Sequence, residues 1–202
     1  MFYEPKDGHG LPHDPFKAIV APRPIGWISS IDADGRLNLA PYSFFNALAG
    51  NPPMVGFSSE GVKDSVTNVR ATGEFVVNLA TRPLAEAMNL TSARVPHGHS
   101  EFEMSGLTPV PSRLVKPPRV GESPAALECK ITQSIDLLDL AGRPTGRWFT
   151  IGQVVGVHID DRYLRSGLFD AAAARTIARC GYRDYAEVIE MFSMAPPQPA
   201  IV

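Results

Sequence analysis

The chain has 202 residues, an apolar share of 44%, a charged share of 20% and a formal net charge of −2. That size and balance suit one globular domain with a real core. A near-neutral charge without a basic run argues against nucleic-acid binding, and no apolar run is long enough to span a bilayer.

The N-terminus, "MFYEPKDGHGLPHDP", lacks the charged-then-apolar order of a secretory leader. Two cysteines, Cys129 and Cys180, are too few and too far apart for a disulfide framework or a zinc knuckle. The expectation is a cytoplasmic protein with reduced thiols. Nineteen prolines and seventeen glycines, spread along the chain, favour many short strands joined by turns over a helical bundle.

The first periodic stretch alternates Ile25, Trp27, Ser29 and Ile31 with Gly26, Ile28 and Ser30, the pattern of a strand. "DADG" at 32–35 supplies a tight turn, and a second strand starts near Leu37. Pro41 in that strand marks an edge, a bulge or an end. "PPMVGFSS" (52–59) reads as a third strand. "DSVTNVRATG" (64–73) reads as a short helix, with Asp64 as its N-cap, Val66 and Val69 on one face and Gly73 as its stop. "EFVVNLA" is a buried strand, and "RPLAEAMNLTSA" an amphipathic helix with Pro83 in its first turn.

Residues 95–124 are rich in Pro, Gly, Ser and His and form an extended excursion, with "EFEMSGL" touching the core. Two long strands, "ALECKITQSIDLLDL" and "RWFTIGQVVGVHIDD", are joined by "AGRPTGR" as a hairpin. A short helical piece and a proline-rich tail end the chain. Six or seven strands with two or three short helices, in no strict alternation, point to an antiparallel Greek-key barrel with helices over its openings. One domain, 1–202, is expected.

Four stretches carry candidate chemistry. "GFSSEGVKDSVTNV" offers the hydroxyls of Ser58, Ser59 and Ser65, a glycine-bent loop, Lys63 and the start of a helix, which together suit a phosphate. The alternative is a solvated turn capped by Asp64. The spacing fails the nucleoside-triphosphate loop, because Val62 and Asp64 interrupt it. "NLAPYSFFNAL" brings the polar tips of Tyr42, Ser43 and Asn46 beside Phe44 and Phe45, which suits a planar heteroaromatic ring; phenylalanines in a strand are also ordinary core.

"VPHGHSEFE" places His97 and His99 near Glu101 and Glu103, a set that could hold a transition metal, face a ligand or sit at a subunit interface. His158, on a strand, reads as a satisfied core or surface residue. "ARCGYRDY" places Cys180 between Arg179 and Arg183; without a partner thiol or a base it reads as a small buried thiol. Arg179 and Tyr182 stand where they can reach a ligand or a partner subunit. No G-x-G-x-x-G follows a strand, so a Rossmann nicotinamide domain is not expected.

Taken in order, "RPIGWISSIDADGRLNLAPYSFFN", "PPMVGFSS" with "KDS", "EFVVNLA", "EFEMSGLTPVPS", "PPRVGESPAALEC", "IGQVVGVHI" and "RCGYRDY" resemble the flavin reductase-like family of FMN-binding split β-barrels. The resemblance runs from Arg23 to Tyr185. It implies a homodimer of Greek-key barrels with FMN, or FAD, near the interface. By that resemblance Ser58, Ser59, Lys63 and Ser65 hold the flavin phosphate, Asp64 shapes the loop, and Ser43, Phe45 and Asn46 lie at the ring. Arg179 and Tyr182 would reach the site, from the same or the second subunit.

This chain has Ser65 where the family often has threonine, and Cys180–Gly181 where two glycines are common. The implied activity is hydride transfer from NADH or NADPH to flavin, with the reduced flavin serving a flavin-dependent monooxygenase or another acceptor. No side chain is required as a catalytic acid or base. The competing reading is a flavin-binding electron carrier or flavin store without turnover.

Overall fold

The computed structural model describes residues 1–93, 95 and 98–197. Strands β1 (Arg23–Pro24), β2 (Gly26–Ile31), β3 (Leu37–Tyr42), β4 (Phe45–Gly50) and β5 (Pro53–Glu60) come first. They are followed by β6 (Glu74–Leu79), β7 (Pro109–Val110), β8 (Arg119–Val120), β9 (Ala125–Leu138) and β10 (Pro144–Ile159). Two short hairpins complete the chain, β11 (Leu164–Arg165) with β12 (Leu168–Phe169), and β13 (Ile177–Gly181) with β14 (Asp184–Glu187). The helices are short: α1 (Phe16–Ile19), α2 (Asp64–Thr72), α3 (Ala85–Leu90) and α4 (Glu101–Ser105). None among the described residues is long and apolar enough to cross a membrane.

Seven strands form one antiparallel sheet in the order β3-β2-β6-β9-β10-β5-β4. β3 and β4 are its two edges, yet only Ser43 and Phe44 separate Tyr42 from Phe45. Laid flat, seven strands would put those edges about 29 Å apart, whereas the link can span about 11 Å at full extension. The sheet must therefore curl until its edges meet, and this makes the barrel. Ser58 N–H donates to the Phe44 carbonyl at 2.8 Å, which carries the β4–β5 pairing into the two-residue link.

Strand alternation then sorts the side chains onto two faces. Ile28, Phe57, Phe75, Val77 and Cys129 fill the barrel interior, together with Val66 and Val69 of α2. Trp27 and Leu39 point the other way, to an outer core closed by Met88, Phe102, Leu107 and Val120. α2 ends as expected at Gly73, which adopts φ 74° and donates its N–H to the Val69 carbonyl. Its N-cap is Lys63 rather than Asp64, because the backbone is still extended at Lys63 and Asp64 is already helical.

Other expectations changed as well. Phe45–Gly50, for which no separate strand was expected, is a full edge strand paired to β5. The terminal helical piece is a single turn at Asp161–Tyr163, and the rest of that region is the two hairpins. Cys180 is half-buried, while Cys129 is fully buried, which pushes its thiol up to about 12. His158 is satisfied by Glu128.

The excursion is fastened to the sheet by polar ties. The Asn78 side chain donates to the Trp27 carbonyl and accepts from Val120 N–H. The buried Glu128 carboxylate accepts from Arg113 N–H at 2.8 Å, from Leu114 N–H at 2.6 Å and from the His158 ring. Burial alone would raise its pKa, but these three donors outweigh burial and hold the carboxyl below its ordinary value.

Glu128→Ala strands these donors and is expected to cost about 3 kcal/mol, roughly 6–12 °C in Tm. The stabilisation is fully present above the ordinary carboxyl value of 4.5 and is lost as pH falls through the lower folded value. Thermal melts of both proteins across pH should therefore converge in acid.

Candidate functional site

Three hollows meet at the barrel seam. The largest, about 840 Å³, is an apolar cleft whose walls include Phe16, Val20, Phe44, Phe45 and Phe149. That volume and lining suit a planar aromatic ligand. Ser43, Asn46 and Ser58 place polar atoms along it. Phe44 is 43% exposed, and the Lys17 and Arg23 cations lie 5.9 and 5.7 Å from its ring centroid. Phe45 turns inward onto the barrel core. It can do so because Gly26 faces it: a Cβ there would stand 2.6 Å from the Phe45 ring.

The second hollow, about 550 Å³, is polar and lies between the end of β3 and the start of α2. Lys63, Asp64 and Ser65 line it, and Lys63 Nζ sits 5.9 Å from the Tyr42 ring centroid. Ser65 is buried, and its hydroxyl accepts from Asn38 Nδ2 at 2.8 Å. The buried Tyr42 hydroxyl stands beside the hydroxyls of Ser59 and Ser65 but has no partner in hydrogen-bond geometry among the described residues. Burial raises this phenol, with the serine hydroxyls acting the other way, so Tyr42 remains a neutral O–H donor.

The acids of this hollow are engaged. Glu60 pairs with Arg147 at 2.6 Å, and the buried Glu101 carboxylate accepts Leu39 N–H at 3.0 Å. Asp64 also takes part in an interaction.

The third hollow, about 350 Å³, contains Arg179 and Tyr182. Arg179 lies 4.5 Å from the Tyr185 ring centroid and donates to the Tyr182 carbonyl. The turn is tight. Tyr182 has φ 44°, and Gly181 has φ 103°, with Ala18 where a Cβ would go, 2.7 Å away. Both residues sit in a left-handed region that costs a non-glycine side chain energy.

The hollows are joined. Ser43, Lys17 and Arg23 border the first and third, Pro41 and Ser92 the third and second, and Glu60 the first and second. The fold thus gathers Ser43, Phe45, Asn46, Ser58, Lys63, Asp64, Ser65, Arg179 and Tyr182 around one continuous surface. Ser59 lines none of the three hollows; alternation along β5 turns it inward, opposite to Ser58, behind the Tyr42 hydroxyl.

His99 is exposed and lines none of these hollows, and His97 lies outside the described residues. No group of metal-ligating side chains forms among the described residues. Lys17, Arg23, Asn38 and Phe149 were not expected as site residues. Asn38 lies two residues before the conspicuous "APYSFFN", and Arg23 opens the strand ahead of "GWISSI", but Lys17 sits in a segment without periodicity.

A family model described as "Flavin reductase like domain" matches residues 20–177. An uncharacterized protein of Halalkalibacterium halodurans is 37% identical over 183 residues, covering 88% of this chain and 87% of its own. Nitrilotriacetate monooxygenase component B from Bacillus cereus superposes with a TM-score of 0.86 at 31% identity, covering 96% of this chain and 98% of its own. A Shewanella frigidimarina protein described as having a split barrel domain superposes with a TM-score of 0.81 at 27% identity, covering 91% of this chain and 90% of its own. The curled seven-stranded sheet is that split barrel.

Burial raises the Glu101 carboxyl, the Leu39 N–H acting the other way. The unfolded chain therefore ionises first, and native stability is lost as pH rises from 4.5 through the raised folded value. Glu101→Gln keeps an acceptor for Leu39 without the charge. Its Tm is expected to match wild type in acid and to exceed it at about pH 8, as melting curves at the two pH values would show.

Proposed function

Because the chain belongs to the flavin reductase-like family, we propose that it is an FMN-binding oxidoreductase that takes hydride from NADH or NADPH. The observation that carries this reading is the join of an apolar cleft to a polar hollow across two residues of chain, Tyr42 and Ser43. A tricyclic ring with a phosphorylated tail needs that pair of environments side by side. The Tyr42 hydroxyl, which has no hydrogen-bond acceptor among the described residues, the Lys63 ammonium and the start of α2 are donors that suit a phosphate.

In this reading Ser43, Phe45, Asn46 and Ser58 hold the ring, while Lys63 and Ser65 hold the phosphate. Asp64 sets the loop, and Ser59 supports Tyr42 from behind. When bound there, flavin would supply the hydride-accepting and electron-transferring chemistry. The chain's own part is to bind and orient: the phenylalanine walls exclude water, and the seam fixes the distance between ring and tail. No side chain has to move a proton, so none is given a catalytic role. FAD would use the same ring and phosphate contacts.

A homodimer fits the large apolar side chains left exposed, including Leu138 and Leu140 on the β9–β10 hairpin and Ile189, Phe192 and Met194 in the tail. Delivery of reduced flavin to an oxygenase is supported by the name of the Bacillus cereus relative, a monooxygenase component.

Lys63→Ala with Ser65→Ala is expected to weaken FMN roughly ten- to hundredfold, and riboflavin by less than twofold, because only FMN carries the phosphate. Fluorescence titration with both ligands decides the point; equal weakening removes the phosphate assignment. Oxidation of NADH or NADPH in the presence of FMN and oxygen tests turnover. A protein that binds flavin but never oxidises either nucleotide is an electron carrier instead.

A further inference from the structure

The third hollow has a charge problem that the flavin reading leaves unsolved. Arg23 on β1 and Arg179 on β13 are direct cross-strand partners, and like charges so placed destabilise a sheet. Lys17 adds a third cation, and no aspartate or glutamate lines the hollow. Several other arginines find carboxylates: Arg36 pairs with Asp32, Arg143 with Asp139, Arg147 with Glu60 and Arg175 with Glu187, whereas Arg70 and Arg165 bond a hydroxyl and carbonyls. Arg23 and Arg179 have no such partner among the described residues.

Arg23 is only 7% exposed, and its buried Nε is without a partner among the described residues. Its Nη1 donates to the carbonyls of Lys17 and Val20, which closes the end of α1. Arg179 stacks on Tyr185. These contacts explain where the two guanidinium groups lie. They do not explain why three cations face one hollow without a counter-charge.

We propose that Lys17, Arg23 and Arg179 form a second anion site, distinct from the Lys63 hollow, that takes the diphosphate of a dinucleotide. Planar guanidinium forks suit adjacent phosphoryl oxygens, and three cations match a polyanion better than a single carboxylate. Ser43, Asn89 and Ser92 border the hollow with further hydrogen-bonding groups. Because Lys17, Arg23 and Ser43 also border the apolar cleft, a dinucleotide held here reaches the cleft with its ring. The choice of a dinucleotide rests on the flavin reading. Both NAD(P)H and FAD carry the group.

The test uses Lys17→Ala/Arg179→Gln, which leaves the buried Arg23 in place, and Lys17→Ala alone should the double variant not fold. Inorganic pyrophosphate is titrated calorimetrically into a Lys63→Ala/Ser65→Ala background, with and without these changes. Its affinity is expected to fall at least about tenfold, and by clearly more than FMN affinity falls in the otherwise native chain, where Lys17 also borders the cleft. A rise in the KM for NADH with unchanged FAD affinity identifies the nicotinamide nucleotide as the source; the reverse identifies FAD.

Unchanged pyrophosphate binding overturns the proposal, and so does an equal loss of FMN and pyrophosphate, which would merge the two sites. If wild type binds no flavin but still binds pyrophosphate through Lys17 and Arg179, the anion site stands and the flavin reading fails.

Discussion

The two-residue link between the edges of the sheet governs this molecule. Ser43 and Phe44 must join strands that a flat sheet would hold far apart, so closure is imposed by chain length rather than by side-chain preference. Everything near the seam follows. β3 and β4 arrive together, the Phe44 carbonyl is bound by Ser58, and Phe45 is turned into the barrel against a glycine. The cleft is where a closed sheet has no continuous ladder to fill it.

Closure also explains why the site has two chemical halves. Inside the barrel, alternation directs apolar side chains together, and the seam exposes part of that apolar surface to the cleft. Just past it, β3 meets the start of α2, where helix geometry leaves N–H groups without intrahelical acceptors. Asn38, Tyr42 and Ser65 converge there as buried polar groups, which are costly unless something satisfies them. The apolar and polar halves share a wall because Tyr42 and Ser43 are neighbours.

Much of this was legible in the sequence. The alternation from Ile25 to Ile31, the "DADG" turn, the stop at Gly73 and the long terminal hairpin each rest on local rules, and each is present. β4 was missed because nearly all of its side chains are exposed, so neither burial nor alternation marks it. The N-cap went to Lys63 because backbone conformation decides a cap, and residue type only biases it. Ser58 and Ser59 read as one phosphate pair, yet period-two geometry must point neighbours on a strand to opposite faces. Arg23 and Arg179 are brought together by a strand pairing between distant parts of the chain, which no motif announces.

The two charged hollows differ in how they handle charge. In the Lys63 hollow, Glu60 is paired with Arg147 and Glu101 is held by a backbone N–H, so negative charge is already spent within the protein. In the Lys17–Arg23–Arg179 hollow no carboxylate has been placed, although the chain carries more acidic than basic residues overall, 21 against 19. A shortage of acids therefore cannot account for it. Arg23 closes the end of α1 from a buried position, and β1 pairs it with the half-buried Arg179 on β13, so these two cations are built into the fold, while Lys17 is exposed at its edge. Holding like charges together costs stability in the free protein, and an arriving anion recovers that cost, which makes the hollow selective for polyanions over neutral ligands of the same size.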